Sequence, residues 1–375
     1  MIKSNILNQW WRSIDQQAVI AYGILITFSL MLVTTTSAAV ATKIGLVENY
    51  FSSRQVIYLA TGFVFMIAFS SFDKKWIKRV GIIGFLFSII MLVLVKFYGY
   101  EVKGATRWIR LAGFSYQPSE FMKPFFAIVT GWLLSLKYKE DFPSFQICIA
   151  LYIVVALLLV IQPDVGMLIL TTAVFATQMF VAGLPLVWIL LAIISSFLGI
   201  ISAYYFLPHV ANRINNFLDP VSNENYQVSK SLLAFEEGGL YGRGPGEGSV
   251  KQHLPDSHTD FIFAVAGEEF GAIICVMIIA VFAFIVISSL VRINKEEDKF
   301  IQFAATGLIT QFGLQAVINI GVTLNLLPTK GMTLPFISYG GSSTLAISIA
   351  VGMLLGLTKH KTSLVKYKRQ PIDIL

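Results

Sequence analysis

Charge is scarce in this chain. Asp, Glu, Lys and Arg make up 13% of its 375 residues, against 56% hydrophobic, whereas a soluble domain carries roughly 25% charged residues. That composition excludes a soluble enzyme of ordinary make-up. Cysteine is scarcer still. Cys148 and Cys275 are the two present, both in apolar segments, and they read as small buried hydrophobes, not as a disulfide. No small-residue cleavage site follows the first apolar run, which Lys3 and Arg12 precede. That run is therefore expected to be a retained helix and not a signal peptide. The formal charge of +7 invites a nucleic-acid partner, but much of the excess sits in short loops and the tail, where the positive-inside rule expects it. No nucleic acid is expected to bind.

Long apolar sequence, by contrast, is abundant. Runs near twenty apolar residues can cross the hydrocarbon core, and ten are present, at about 18–41, 54–72, 77–97, 120–137, 145–163, 165–183, 185–207, 259–293, 300–327 and 342–358. The chain is thus read as an all-α integral membrane protein, a bundle of ten transmembrane helices. Gln162-Pro163-Asp164 and Gly183-Leu184-Pro185 join neighbouring spans as tight hairpins. Lys74, Lys75, Lys78 and Arg79 crowd one short loop, Lys137 and Lys139 a second, and Arg292, Lys295 and Lys299 a third; Lys359, Lys361, Lys366, Lys368 and Arg369 mark the tail. Ten spans put all four on the side of the N-terminus, hence in the cytoplasm. Residues 1–17 then form a cytoplasmic N-terminus, 18–358 the membrane domain, and 359–375 a basic cytoplasmic tail. Two larger loops face outward, about 98–119 and, between the seventh and eighth spans, about 208–258. The second holds Gly-Gly-Leu-Tyr-Gly-Arg-Gly-Pro-Gly-Glu-Gly (238–248). It lacks the Gly-Lys-Ser/Thr ending and the preceding strand of a phosphate loop, so its glycines are read as supplying unusual backbone angles.

Ionisable groups cluster at the outward ends of the spans. Leu254 to Gly271, LPDSHTDFIFAVAGEEFG, runs from a polar loop into the eighth span. Thr259 is a plausible N-cap that places Asp260 in the first helical position, where the macrodipole favours a carboxylate. Asp260 also suits a general base at the membrane surface. His253, Asp256, His258 and Asp260 could hold a metal, but their spacing matches no standard zinc pattern. Glu268 and Glu269 lie about two turns further on and need partners or water. Gly267 and Gly271 form GxxxG, which permits close approach of another helix.

Gln117-Pro118-Ser119-Glu120-Phe121-Met122-Lys123 opens the fourth span. Ser119 can cap it, and Glu120 and Lys123 can pair on one face. Upstream, Lys103, Arg107 and Arg110 surround Trp108, a set that serves either interfacial anchoring or phosphate binding, for which arginine is suited. Gln311, Gln315 and Asn319 make an amide stripe on the ninth span, explicable by helix–helix hydrogen bonding alone. Lys330, in the outward loop that follows, is either a snorkelling lysine or a site residue. Leu-Pro-Phe-Ile-Ser-Tyr-Gly-Gly-Ser-Ser (334–343), with Ser338 at its centre, leads into the tenth span.

Taken together, KGATRWI (103–109), QPSEFMK (117–123), QPDVG (162–166), LPDSHTDFIFA (254–264) with EEFG, and LPTKG (327–331) with LPFISYGGSS resemble the SEDS family of bacterial cell-wall proteins, in family order over about residues 18–358. LPTKG and ATQMFVAG (176–183) resemble the division branch more than the elongation branch. The resemblance implies ten transmembrane helices and peptidoglycan glycosyltransferase activity on lipid II. It puts the essential aspartate on Asp260, and further substrate contacts on Arg107, Trp108, Glu120, Lys123 and Lys330; His258 and Ser338, within the same motifs, are read as substrate-binding residues beside them. Glu236-Glu237 departs from the small residues expected there.

The expected chemistry is attack by a lipid II sugar 4-hydroxyl, deprotonated by Asp260, on the donor anomeric carbon, with inversion and release of undecaprenyl diphosphate. Outward cations neutralise that leaving group. No nucleotide is needed; a divalent cation, Mg or Mn, is compatible with the pattern and required by nothing in it. The resemblance also implies a class B penicillin-binding protein transpeptidase and other divisome membrane proteins as partners, at the septum of the bacterial inner membrane. Rival functions are a lipid II flippase, an elongation-type polymerase, and a scaffold. A transporter would place its site near the midplane, and a scaffold leaves the clustered ionisable groups unexplained.

Overall fold

The computed structural model describes residues 2–102, 105–111, 114–138, 142–206, 211, 215, 223–328 and 331–359. Lys103, Lys139, Lys330 and the tail from residue 360 lie outside them. The described helices are α1 (Ile2–Ser13), α2 (Gln16–Lys43), α3 (Tyr50–Ser71), α4 (Lys74–Tyr98), α5 (Pro118–Leu136), α6 (Ser144–Ile161), α7 (Val165–Val181), α8 (Leu186–Phe206), α9 (Asn223–Gly238), α10 (Ile262–Ile293), α11 (Lys299–Thr323) and α12 (Gly341–Leu357). Each of the ten apolar runs is occupied by one of them; α1 and α9 are additional. Among the described residues, α2, α3, α4, α6, α10 and α11 are long and apolar enough to cross a membrane, and α7 and α12 are shorter apolar helices.

The chain is not wholly helical. The segment after α4 forms a three-stranded antiparallel sheet, β1 (Tyr100–Val102), β2 (Ala105–Leu111) and β3 (Phe114–Tyr116), in the order β1-β2-β3. Tyr100 faces Trp108 across the first pair and Arg110 faces Ser115 across the second. Thr106, Ile109 and Tyr116 suit a pleated surface, a signal that composition biased toward spans conceals.

Burial sorts the helices into layers. Nearly every residue of α5 and α12 is buried, as is most of α11; helices apolar all round belong inside a bundle. By contrast α6 buries Ser144, Cys148, Val155 and Leu159, and turns the rest of its surface outward. Small residues let the central helices approach. An added Cβ at Gly131 of α5 would lie 2.5 Å from the Ala304 nitrogen of α11. Gln178 of α7 then pins both neighbours: its amide donates to the Ala127 and Phe303 carbonyls at 2.8 and 3.0 Å, and accepts from Thr130 at 2.7 Å. A buried amide of one helix bonded to two others fixes their register.

One end of the bundle collects the basic loops. Lys74 pairs with Asp298 at 2.6 Å, and Arg292 with Asp15 at 2.8 Å. Asp15 and Asp298 also cap α2 and α11, accepting from Ala18 and Phe300 amides at 3.1 and 3.0 Å. Asp260 stands beyond the opposite end of α10 from Arg292.

Candidate active site

The N-terminal part of α10 is a separate, buried post. Gly271 breaks the helix with φ 79° and ψ 177°, and residues 262–269 before it are buried throughout. Residues 272–293 after it span about 33 Å at 1.5 Å per residue, close to the hydrocarbon thickness. The break frees the Glu268 and Glu269 carbonyls, and the Gly-rich segment takes them: the Arg243 and Gly244 amides donate to them at 3.0 Å each. A Cβ at Gly271 would come within 2.3 Å of the Leu240 carbonyl oxygen, so the backbone approach needs glycine. The GxxxG of this helix therefore receives α9 and the Gly-rich loop, not another membrane helix.

The two glutamates complete this junction. Glu268 accepts from the Val250 and Lys251 amides at 2.6 and 2.8 Å. Glu269 pairs with the ammonium of Lys251, itself buried, which also donates to the carbonyls of Thr35 on α2 and Gly246 at 3.2 and 3.0 Å. Both Glu268 oxygens are bonded, whereas Glu269 is held through Oε1 and its Oε2 has no hydrogen-bond partner among the described residues; together the two carboxylates latch the loop that carries Val250 and Lys251 onto the post.

Asp260 sits at the top of the post, and not as a helical residue. The N-cap of α10 is Phe261; residues 254–261 form turns in which Thr259 and Phe261 amides donate to the Asp256 carbonyl at 3.0 and 3.3 Å, so Thr259 does not cap the helix. Neighbouring segments fix this turn closely. Asn319 donates to the Asp260 carbonyl at 2.8 Å and to the Met332 carbonyl at 2.6 Å. Ser338 donates to the Thr259 carbonyl at 2.6 Å and accepts from the Leu334 amide at 2.7 Å. The Tyr339 amide donates to the His258 carbonyl at 2.9 Å. Gly331 lies against the carboxylate, a Cβ there falling 3.4 Å from Oδ2. Between these contacts Phe336 holds φ 61°, a conformation that costs a bulky residue energy and persists where surrounding bonds over-determine it.

A polar chain runs inward from here. Gln315 donates to the Thr333 carbonyl at 3.0 Å and accepts from the Lys123 ammonium at 3.1 Å, and Lys123 pairs with Glu120 at 2.9 Å. Both ions are almost fully buried. The amide stripe thus serves loops and an ion pair, not simple helix–helix bonding. Ser119 does not cap α5, whose N-cap is Gln117. Its hydroxyl, Gln311 Oε1, Asn319 Oδ1 and Asp164 Oδ2 are buried without a hydrogen-bond partner among the described residues. Buried polar atoms are nearly always paired, so this interior suits water or a polar ligand.

Arg107 stands to one side. It donates to the Gln162 and Pro163 carbonyls at 3.2 and 2.5 Å, and lies 3.6 Å from Asp164. The sheet so clamps the hairpin between α6 and α7. Burial pushes the Asp164 carboxyl above its ordinary value, with Arg107 opposing. Trp108, half-buried, is on the other face of β2 by strand alternation. The structure thus brings Asp260, His258 and Ser338 together and links them through Asn319 and Gln315 to Lys123 and Glu120; Arg107 pairs with Asp164, whose carboxyl feels the charges of Glu120 and Lys123. Among the described residues no three His, Cys, Asp or Glu side chains form a metal site. Asp164 and Arg54 escaped the sequence reading as site residues, although QPDVG and the Tyr50, Arg54, Tyr58 spacing of i, i+4, i+8 carried both.

A sequence model of the FtsW, RodA and SpoVE group of cell cycle proteins matches residues 16–363. A probable peptidoglycan glycosyltransferase FtsW of Caulobacter vibrioides (strain NA1000 / CB15N) is 41% identical over 357 residues, covering 95% of this chain and 92% of its own. The protein of the same name from Trichlorobacter lovleyi is 37% identical, covering 89% and 90%. A chain from a peptidoglycan synthase complex that coordinates polymerization and crosslinking superposes with TM-score 0.78 at 24% identity, over 93% of this chain and 98% of that one. The rod shape determining protein RodA of Thermus thermophilus gives TM-score 0.68 at 22% identity, over 93% and 97%.

Proposed function

The chain belongs to the FtsW, RodA and SpoVE family of cell cycle proteins, and from that premise we propose that it is a peptidoglycan glycosyltransferase polymerising lipid II in cell division. Identity of 34–41% over most of the chain to proteins named FtsW supports the division role. The single observation that carries the mechanism is the fixing of the Asp260 turn by Asn319, Ser338 and Tyr339, beside an interior with unpaired buried polar atoms.

Asp260 is the general base. It takes the proton from the 4-hydroxyl of the acceptor sugar as that oxygen bonds to the donor anomeric carbon. The bond from that carbon to the diphosphate breaks, with inversion, and the lipid diphosphate leaves with the electron pair. Arg107 and Lys330 are assigned to the diphosphate, because cations stabilise the charge that develops there. His258 and Ser338 hold the turn against the sugar, Trp108 borders the donor end, and the Glu120–Lys123 pair keeps the inner end polar and rigid. A base works by holding its acceptor oxygen in reach of the hydroxyl, and the bonds around Asp260 supply that.

Ten spans, with 1–17 and 359–375 cytoplasmic and the 98–119 and 208–258 loops outside, set this site on the outer face of the inner membrane at the septum. A class B penicillin-binding protein is the partner, in keeping with the coupling of polymerization and crosslinking in the structural relative. Purified protein given fluorescent lipid II, with and without that partner, tests the function. Glycan polymer with the partner present is expected. Flipping in vesicles without polymer, or neither activity, would reject it, and full polymerisation by the chain alone would reject the need for a partner.

A further inference from the structure

Polymerisation joins two molecules that each carry a lipid diphosphate, whereas Arg107 and Lys330 serve the donor. The N-terminal end of α3 offers a further cation, Arg54. Tyr50, Arg54 and Tyr58 share one helix face. The Arg54 guanidinium carbon lies 4.5 Å from the Tyr50 ring centroid, and its charge reaches the hydroxyl of Tyr339, whose ring centroid lies 6.1 Å from that of Tyr58. Arg54 is half-buried, and among the described residues no carboxylate pairs with it. The set is built into the Asp260 turn. Tyr339 donates its amide to the His258 carbonyl at 2.9 Å, and its ring centroid lies 5.5 Å from that of His258, two residues before Asp260. Gly341 holds Tyr58 in place, a Cβ there meeting the Tyr58 ring at 2.8 Å.

We propose that Arg54, with Tyr50 and Tyr339, forms a second anion subsite, which holds the diphosphate of the acceptor lipid-linked sugar while Asp260 takes the proton from its hydroxyl. This inference rests on the glycosyltransferase reading above. The acceptor diphosphate survives the reaction, because the bond that breaks belongs to the donor. Its site has to bind and not to activate. A half-buried arginine stacked over the Tyr50 ring presents a planar fork to phosphate oxygens. A tyrosine hydroxyl is protonated at neutral pH and can donate to a phosphate oxygen.

The test counts purified lipid II bound to full-length protein carrying Asp260→Asn, by native mass spectrometry in detergent. Two molecules are expected. Adding Arg54→Ala should leave one tightly bound and weaken the other by at least ~10-fold, the loss expected for a charge-assisted hydrogen bond. Tyr339→Phe keeps the ring packing and removes only the hydroxyl beside the guanidinium; it should weaken the same molecule roughly 5-fold. Excess phosphatidylglycerol should leave both lipid II molecules bound. Two molecules held with unchanged affinity in both variants would overturn the inference, as would displacement of one by phosphatidylglycerol, which would make this a general phospholipid contact. No lipid II on the Asp260→Asn protein itself would instead remove the glycosyltransferase reading, and this inference with it.

Discussion

Replacing Glu268 by Gln should unlatch the outer loop without touching the chemistry. The carboxylate accepts from two backbone amides, at 2.6 and 2.8 Å, in a fully buried position. Glutamine presents one oxygen and one NH2 group. One charge-assisted bond becomes neutral, and the other becomes a donor facing a donor. A bond to a charged group contributes about 1.5–3 kcal/mol and an unsatisfied buried donor costs about 1–3 kcal/mol, so the change costs the latched state about 3 kcal/mol. At 1.4 kcal/mol per factor of ten, the released population rises by ~10²-fold. Lys251 reports it directly, because it is 3% exposed when latched and a trypsin site when free. Cleavage after Lys251 should quicken by ~10²-fold, since cleavage slower than reclosing follows the open population. Cleavage after the exposed Lys295 should not change, and polymerisation at low temperature should persist. Unaltered cleavage after Lys251 together with lost polymerisation would refute the structural assignment and make Glu268 a participant in the chemistry.

Gly271→Ala should cost about 1–2 kcal/mol from its left-handed backbone alone, and more from the contact with the Leu240 carbonyl; thermal unfolding in detergent measures it, and an unchanged midpoint would remove the kink from the account. Arg107→Lys keeps the charge but cannot reproduce the bonds to Gln162 and Pro163, so lipid II polymerisation should fall. Normal polymerisation by Arg107→Ala and Lys330→Ala would take both out of the donor site. Single cysteines introduced at Ser249, which is exposed, and at Thr362 test sidedness: an impermeant reagent outside the cell should label the first and spare the second, and the opposite pattern would invert the topology.

The ten apolar runs were legible because each helix must satisfy its own backbone in lipid, which makes length and hydropathy sufficient. The Glu120–Lys123 pair was legible from i, i+3 spacing. The latch was not. Glu268 and Glu269 show only that partners are needed, and the partners, Val250, Lys251 and Thr35, come from a loop and a helix that no local rule joins to them. Asp260 stood out as an acid at a helix mouth, yet its cap was misread, because Asn319, Ser338 and Tyr339 hold the turn and thereby override the local preference of Thr259 for capping. The sheet at 100–116 hid in a loop whose charges drew attention to phosphate, while Arg107 also binds a hairpin.

Asp260→Asn tests the central claim most directly. The change keeps size and most hydrogen bonding but removes a proton acceptor at neutral pH, and general-base catalysis contributes roughly 10²–10⁴-fold. Lipid II polymerisation with the partner transpeptidase present, and thermal unfolding in detergent, should be read on the same sample. The account predicts an intact midpoint and a polymerisation rate lower by at least ~10²-fold. A stable Asp260→Asn protein that still makes glycan strands at the native rate would contradict it and pass the base role to Glu120 or Glu268.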